Sequence, residues 1–567
     1  MCLKNYDLIF SGFIRQTYFS GLKIISYNQS INQRMKKIYT LLLLFLSAAA
    51  FSQYNFTDID TLLKNYNKPT SPGLSIHVVK DGKVLYSKQS GMADIENRKP
   101  ITKESVFHMA SDSKQFTAAC IVVLQQQGKL KFDDKLSKYF PDFPEYAQKV
   151  TIAKLMNHTS GIKDIAVLAM LKGEDATDYN DNQVQTLLKN AVLDFEPGTK
   201  WSYSNSGYWF LAQIVKQVSG KPMIEFVNTS IFKPLKMKNS QFVESRDTKF
   251  ANKVKGYEMV NDTFSQSIID PYHISGAGLY APIADLQKWL NEMMDQKVLG
   301  KAFWSEMLKV TSKTGYAAGL FINDFSGHKK ISHGGDNPGF HCIMGVYPDD
   351  KLSVIVLANT DDASVKDIEK AIAAKVFGIT EEKAQEVEGE VTEGVVVSSE
   401  KLKQYGGIYG SGASNFYIQP LENRLWLMQI HNDMSYELSP VTQNSFTFSG
   451  IVFSFEDSIG DVAQTMVIDD NGSKEQFARV VIDPKLKTEY CGKYFCKSLT
   501  IEYTFFEDGD ILKFKIGSGE AQETLVATGD KLYTEMGNVK FKRDALGKIS
   551  GFVLKHDRAN NIEFEKI

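Results

Sequence analysis

The run Val106-Phe107-His108-Met109-Ala110-Ser111-Asp112-Ser113-Lys114-Gln115-Phe116-Thr117-Ala118-Ala119-Cys120-Ile121-Val122-Val123-Leu124 decides how the rest of the chain reads. Val106 to Ala110 is apolar and extended in character. After Lys114, the residues Phe116, Ala119, Cys120, Val123 and Leu124 fall at a helical period, and Gly128 stands ready as a stop. Cys120 reads as a small core residue. Ser111 therefore opens an amphipathic helix, with Lys114 one turn on and on the same face. A serine hydroxyl needs a base within reach to become a nucleophile, and a lysine supplies one when burial favours its neutral form. Helix-start N–H groups would also favour a developing oxyanion. The Ser-x-x-Lys pattern alone is weak, because it recurs at Ser20, Ser160, Ser326 and Ser398. A helix-capping serine beside a solvated lysine is the competing explanation. Only Ser111 joins an extended apolar run to a periodic helix.

Working outward, Gly73-Leu-Ser-Ile-His-Val-Val and Lys83-Val-Leu-Tyr-Ser flank Asp81-Gly82, which predicts a β-hairpin. Downstream, the turn Glu196-Pro197-Gly198 leads into the polar loop Trp201-Ser202-Tyr203-Ser204-Asn205-Ser206-Gly207. A helix follows through Tyr208, Phe210, Leu211, Ile214, Val215 and Val218, and Ser219-Gly220 ends it. Strand-like and helix-like stretches are mixed from Gln53 to Gly378, so the class is α+β.

Ser111-x-x-Lys114, then Tyr203-x-Asn205, then a small strand-borne motif, resembles the order of active-site elements in serine β-lactamases and penicillin-binding proteins. Leu155-Met156-Asn157-His158-Thr159-Ser160-Gly161, Gly276-Ala277-Gly278-Leu279-Tyr280 and Leu357-Ala358-Asn359 look like that family's text as well. The resemblance covers residues 60–378. It implies a β-lactamase-like catalytic domain, an antiparallel sheet flanked by helices with a helical subdomain. A literal Lys313-Thr314-Gly315 competes for the third motif. The family's downstream text (Gly339-Phe340, Tyr347-Pro348-Asp349-Asp350-Lys351, Leu357-Ala358-Asn359) instead follows His333-Gly334-Gly335, so His333 takes the motif lysine's place.

By the same resemblance, Ser111 is acylated, Lys114 and Tyr203 handle protons, and Asn205 holds the substrate amide. The backbone N–H groups of Ser111 and Asp336 form the oxyanion hole, and His333, Gly335 and Asp336 line the substrate. An imidazole is mostly neutral at pH 7, whereas lysine is a fixed cation, so carboxylate recognition at 333 is weakened. Relatives with His-x-Gly look like D-aminopeptidases, D-peptidases and esterases, and some D-aminopeptidases share a three-domain plan. The expected activity is hydrolysis of D-amino-acid-containing peptides or amides, or of esters, preferring substrates without a carboxylate beside the scissile bond. Cell-wall-derived peptides are among the candidates. The alternatives are a β-lactamase or D-Ala-D-Ala carboxypeptidase, and a catalytically silent binding protein. His158 reads as a residue that fixes its loop. The resemblance implies no cofactor, and no metal-ligand spacing appears.

Lys+Arg number 65 and Asp+Glu 67, a net charge of −2, so no basic field favours nucleic acid or anionic lipid. Met35-Lys36-Lys37, the apolar Ile38 to Leu46 and Ser47-Ala48-Ala49-Ala50-Phe51-Ser52 have a signal peptide's layout, with cleavage expected before Gln53. The apolar part is shorter than the roughly 20 residues a membrane span needs, so no stable anchor is expected. Translation is then expected to start at Met35, so residues 1–34 read as a mis-assigned N-terminal extension, 35–52 as the signal peptide and 53–380 as the catalytic domain. Residues 381–399, rich in Glu, Val, Gly and Ser, read as a linker.

Beyond the linker, aromatic and β-branched residues punctuated by Asn471-Gly472 and Asp508-Gly509 predict antiparallel β structure. Tyr405, Gly407 and Tyr409 recur as Tyr490, Gly492 and Tyr494, and Asp457, Gly460 and Phe477 recur as Asp544, Gly547 and Phe564. Two copies of one unit, 400–482 and 483–567, are expected as small barrel-like, lipocalin-like folds. Phe446, Phe448, Phe453 and Phe455 alternate as core positions rather than as a ligand box. Cys491 and Cys496, about 16 Å apart on an extended strand, are too distant for a disulfide, which needs Cα atoms within about 7 Å.

Overall fold

The computed structural model describes residues 54–567 apart from 65, 244–247, 261–262, 268–275, 313, 362, 380–396, 412–413, 422–423, 430–434, 449–450, 461, 471–472, 481–487, 510, 525, 529, 535 and 557. The expected upstream extension, the signal peptide, most of the linker, Lys313 and Asn471-Gly472 lie outside the described residues.

The part expected to be catalytic is built on a six-stranded sheet. Its strands are β1 (Leu74–Lys80), β2 (Lys83–Ser90), β3 (Phe321–Phe325), β4 (His328–Asn337), β5 (Phe340–Tyr347) and β6 (Leu352–Ala358), in the order β3-β4-β5-β6-β1-β2 and antiparallel throughout. The β1–β2 connection has φ of 51° at Asp81 and 73° at Gly82, the left-handed pair that a two-residue hairpin requires. All seven residues of β6 are buried, so this strand is covered on both faces and is apolar throughout except at Ser353, whose hydroxyl is hydrogen-bonded to the Gln287 side chain.

Helix α1 (Lys114–Gln126) follows the serine. Its periodicity predicts one apolar face, yet Ala118, Ile121 and Val122 are buried too, while Val123 is only half-buried. The cause is position: other helices pack around α1, among them α2 (Asn205–Ser219). Helix α2 ends where Gly220 adopts φ 70° and its N–H bonds Lys216 O at 3.1 Å, a left-handed stop suited to glycine.

The expected pair of β units is present, and the two differ in closure. Eight strands, β7 (Gly407–Ser411), β8 (Ser414–Leu421), β9 (Arg424–Gln429), β10 (Ser435–Pro440), β11 (Ser445–Phe448), β12 (Ile451–Glu456), β13 (Thr465–Asp470) and β14 (Ser473–Arg479), form a closed barrel. The second unit has β15 (Gly492–Cys496), β16 (Ile501–Asp508), β17 (Ile511–Ile516), β18 (Ala521–Glu523), β19 (Val526–Thr528), β20 (Lys531–Thr534), β21 (Gly537–Arg543), β22 (Ile549–His556) and β23 (Ala559–Lys566). These order as β18-β17-β16-β15-β23-β22-β21-β20-β19, an open half-barrel.

The repeat is physical as well as textual. Tyr409 Oη donates to Tyr405 O at 2.9 Å, and Tyr494 Oη donates to Tyr490 O at 2.8 Å. Gly407 and Gly492 both hold strongly positive φ, 143° and 139°, where a side chain would also collide with Arg479 or Lys566. Those two cations lie over the rings of Tyr409 and Tyr494 at 5.6 and 5.4 Å. The four cysteines after the expected cleavage site, Cys120, Cys342, Cys491 and Cys496, are free thiols.

Candidate active site

Ser111 lies on a 3-10 turn, Ala110–Ser113, that runs directly into α1 at Lys114. In a 3-10 turn residues i and i+3 eclipse, so the turn stacks the lysine against the serine. Lys114 Nζ donates to Ser111 Oγ at 3.1 Å. Ala110 has φ 42°, a left-handed conformation that costs a non-glycine residue about 1 kcal/mol or more. Hydrogen bonds offset that cost: Ser113 Oγ donates to Ala110 O at 2.6 Å and accepts from Leu279 N at 3.0 Å.

Lys114 is fully buried. Its ammonium also donates to Asn205 Oδ1 at 2.8 Å and Gly276 O at 3.4 Å, and any side chain at 276 would collide with it. Burial lowers the Lys114 pKa to about 7; the Asp164 carboxylate opposes this and the Arg558 guanidinium adds to it. Near neutral pH, then, the amine that touches Ser111 is neutral in a substantial fraction of molecules. The Tyr203 hydroxyl shares a hydrogen bond with Ser111, and burial pushes its pKa up, so the phenol keeps its proton.

Asn205 is the first residue of α2. Its N–H donates to Asp164 Oδ2 at 2.6 Å and its side-chain amide to Oδ1 at 3.4 Å. Asp164 also caps the helix Ile165–Met170 through Ala166 N at 2.9 Å. One buried carboxylate thus starts one helix and fixes the asparagine of another. His158, at φ 60°, accepts from Ser204 N at 3.1 Å through Nδ1 and from Ser202 N at 3.0 Å through its carbonyl. Its ring lies 4.3 Å from that of Tyr203, so it holds the loop that presents the tyrosine.

His333 stands on β4, buried beside this group. Its Nδ1 donates to Gly334 O at 2.6 Å, which leaves Nε2 to accept from Tyr316 Oη at 3.0 Å. Burial, reinforced by the Lys114 charge, lowers its pKa to about 3, so the imidazole is neutral at pH 7. Gly315 of the literal Lys-Thr-Gly lies outside β4, and its successor Tyr316 is what reaches His333.

β4 pairs with β3 only as far as Ser332, so among the described residues 333–337 have no strand on that edge and run beside the Ser111 turn. Gly335 permits the approach, because a Cβ there would collide with Met109 O. The Asp336 carboxylate accepts from His341 Nδ1 at 2.9 Å and Lys366 Nζ at 3.2 Å. Burial would raise the Asp336 pKa, but these partners outweigh it and hold the carboxyl below its usual range. Burial would likewise lower His341, yet Asp336 and Asp361 raise it to about 9.

Ser111, Tyr203, His333, Gly334, Asp336 and Arg558 line one cleft of about 610 Å³. The structure therefore brings together every site residue expected from the sequence, with Lys114 and Asn205 directly behind Ser111. It adds three that the motifs do not contain. Asp164 carries a local signal, an acidic residue just before the apolar run Ile165-Ala166-Val167-Leu168. Tyr316 and Arg558 carry none. Among the described residues, no group of His, Cys, Asp and Glu could hold a metal ion.

The family model described as Beta-lactamase matches residues 59–377, more than half of the chain. The chain belongs to the beta-lactamase family. Its catalytic part is the serine-hydrolase-type fold of β-lactamases and penicillin-binding proteins. It is similar to Penicillin-binding protein 4* of Bacillus subtilis, 25% identical over 449 residues that span 74% of this chain and 98% of that protein. It is also similar to a D-aminopeptidase of Brucella anthropi, 29% identical over 320 residues, 54% of this chain and 60% of that protein's length. The octameric penicillin-binding protein homologue from Pyrococcus abyssi shares the fold, with a TM-score of 0.52, 23% identity, and 79% of this chain matched to 95% of that one.

Proposed function

We propose that this protein is an exported serine hydrolase that forms an acyl-enzyme on Ser111 and cleaves D-amino-acid-containing peptides or amides, or esters. The observation that carries the reading is the buried Lys114 amine, brought to a pKa of about 7 and placed 3.1 Å from Ser111 Oγ. In the first half-reaction Oγ bonds the substrate carbonyl carbon while Lys114 takes the hydroxyl proton. The C–N or C–O bond then breaks, and the proton passes through Tyr203 to the leaving amine or alcohol. Water adds to the ester by the reverse route and releases the carboxylate. Asn205, clamped by Asp164, holds the substrate amide. The Asp336 carboxylate is engaged by His341 and Lys366, so this residue serves the oxyanion through its backbone N–H, opposite that of Ser111.

Similarity to a D-aminopeptidase and the neutral His333 both support an amide or peptide substrate. Labelling with a fluorophosphonate, with the adduct mapped by mass spectrometry, tests the chemistry. The adduct is expected on Ser111 and is lost in Ser111→Ala; undiminished turnover by that variant would sink the mechanism. A penicillin-directed activity is the second reading, favoured by the match along 98% of Penicillin-binding protein 4*. Nitrocefin hydrolysis separates it from the first. Export rests on the layout of residues 35–52, and N-terminal sequencing of secreted material is expected to begin near Gln53. Recovery of residues 1–34 on that material would overturn it.

A further inference from the structure

The tip of the β22–β23 hairpin enters the catalytic domain. Arg558 O accepts from Asp164 N at 2.9 Å, and Asn560 N donates to Asp194 Oδ1 at 2.7 Å. Lys163 Nζ bonds both Asp194 Oδ1 and Asn560 O, and the Lys163 and Asp194 side chains are each only 2% exposed. A buried ion pair therefore clamps the hairpin to the residue next to Asp164, which in turn fixes Asn205. The tip is set from within as well, since Arg558 N donates to His556 Nδ1 at 3.2 Å. Arg558 lines the same cleft as Ser111, Tyr203 and His333.

We infer that Arg558, delivered by the second β unit, binds a carboxylate of the substrate and so selects anionic peptides over neutral amides. A guanidinium is planar, permanently charged and offers paired donors that match a carboxylate's two oxygens. Position 333 by itself argues for carboxylate-free substrates; the hairpin changes that balance by bringing a cation to the cleft from another part of the chain. Its charge acts on the catalytic groups too, lowering both the Lys114 and the Tyr203 pKa. The substrate class is then a short peptide with a D-residue at the cleaved bond and a free carboxylate within reach of Arg558.

The inference rests on the acyl-enzyme reading for catalysis, but its test does not. Binding of an N-acyl-D-Ala-D-Ala peptide and of its C-terminal amide to Ser111→Ala protein is measured by calorimetry, with and without Arg558→Gln and Arg558→Lys. The peptide is expected to bind about tenfold more tightly than the amide, roughly the 1.4 kcal/mol of one charge-assisted pair. Arg558→Gln should abolish that ratio and Arg558→Lys restore part of it. The same ratio should appear in kcat/KM of the active enzyme, chiefly through KM. No preference for the carboxylate in Ser111→Ala protein, or a preference untouched by Arg558→Gln, would overturn the inference. Failure of the acyl-enzyme reading shows separately, as absence of fluorophosphonate labelling at Ser111.

Discussion

The two β units start from the same local plan and end in different states. Both carry the Tyr-x-Gly-x-Tyr opening, the same tyrosine-to-carbonyl bond and a cation over the second ring. In the first, Tyr405, Tyr409, Phe446 and Phe455 form a core, completed by Val397 and Leu402 just ahead of the barrel, that contains no residue of the 53–380 part. In the second, Tyr494, Tyr503, Phe541 and Phe552 belong to the core cluster that also contains the catalytic helices, and Tyr503 Oη donates to Leu171 O at 2.8 Å. Closing a sheet is one way to remove exposed edges and bury an apolar face; packing it on a neighbour is another. The half-barrel takes the second route, and its β22–β23 hairpin thereby reaches the active site. One unit is a self-contained module, the other a part of the enzyme.

The largest expected contrast lies in those cores. Phe455 and Phe552 are both buried, and truncating either to alanine should cost about 3–5 kcal/mol. Phe455→Ala is expected to melt the barrel at lower temperature while Ser111 keeps its reactivity. Phe552→Ala should lower the temperature at which the active site itself is lost. Fluorophosphonate labelling along a thermal ramp, with scanning calorimetry, separates the two. Equal loss of labelling in both variants would make the barrel as integral as the half-barrel.

A middle-sized contrast comes from ion pairs. Lys163→Met leaves Asp194 buried without its partner charge and should destabilise by about 3 kcal/mol or more, with Asp194→Leu recovering most of it in the double variant. On the barrel, Arg424 and Glu437 pair at 2.9 Å with side chains 59% and 42% exposed, so Arg424→Met should cost about 1 kcal/mol or less. Urea unfolding of both variants checks the pair. A mild effect at Lys163 would mean that the hairpin is loosely docked, against its role at the cleft.

The candidate site was legible as a cluster because its residues fall into ordered motifs whose local structure follows from the sequence. An extended run leads into a helix at Ser111, and a polar loop leads into another at Asn205. The motif strand could be located from the text that follows His333. The β repeats were legible for the same reason, as recurring turn glycines and tyrosines. Closure was not, because near-identical strand plans give no sign of which apolar face meets another domain. Lys163 shows the limit of pattern most clearly: in Ser160-x-x-Lys163 it mimics the catalytic motif, and only tertiary packing makes it the clamp of a distant hairpin. Arg558 likewise has no neighbours in sequence that point to a site; its place depends on two segments that meet only in the folded chain.

The smallest contrast is in pH dependence. Lys114 must be neutral to accept the Ser111 proton, so kcat/KM for an uncharged ester should rise with pH through about 7 and level off above it. Arg558 contributes to that low value, because a nearby cation disfavours a second positive charge. Removing it in Arg558→Gln should therefore raise the Lys114 pKa and move the rising limb to higher pH. One charge felt across a partly solvated cleft is worth about 0.4–1 kcal/mol, hence a displacement of roughly 0.3–0.7 pH unit. Arg424→Gln removes the same charge from the barrel and should leave the limb in place. Rate profiles from pH 5 to 9 at low and high salt decide the matter, with the Arg558→Gln displacement expected to shrink as salt screens the interaction. Identical limbs in wild type and Arg558→Gln, or a shift to lower pH, would mean that the half-barrel's charge does not reach the general base. The half-barrel would then differ from the barrel only in how it packs.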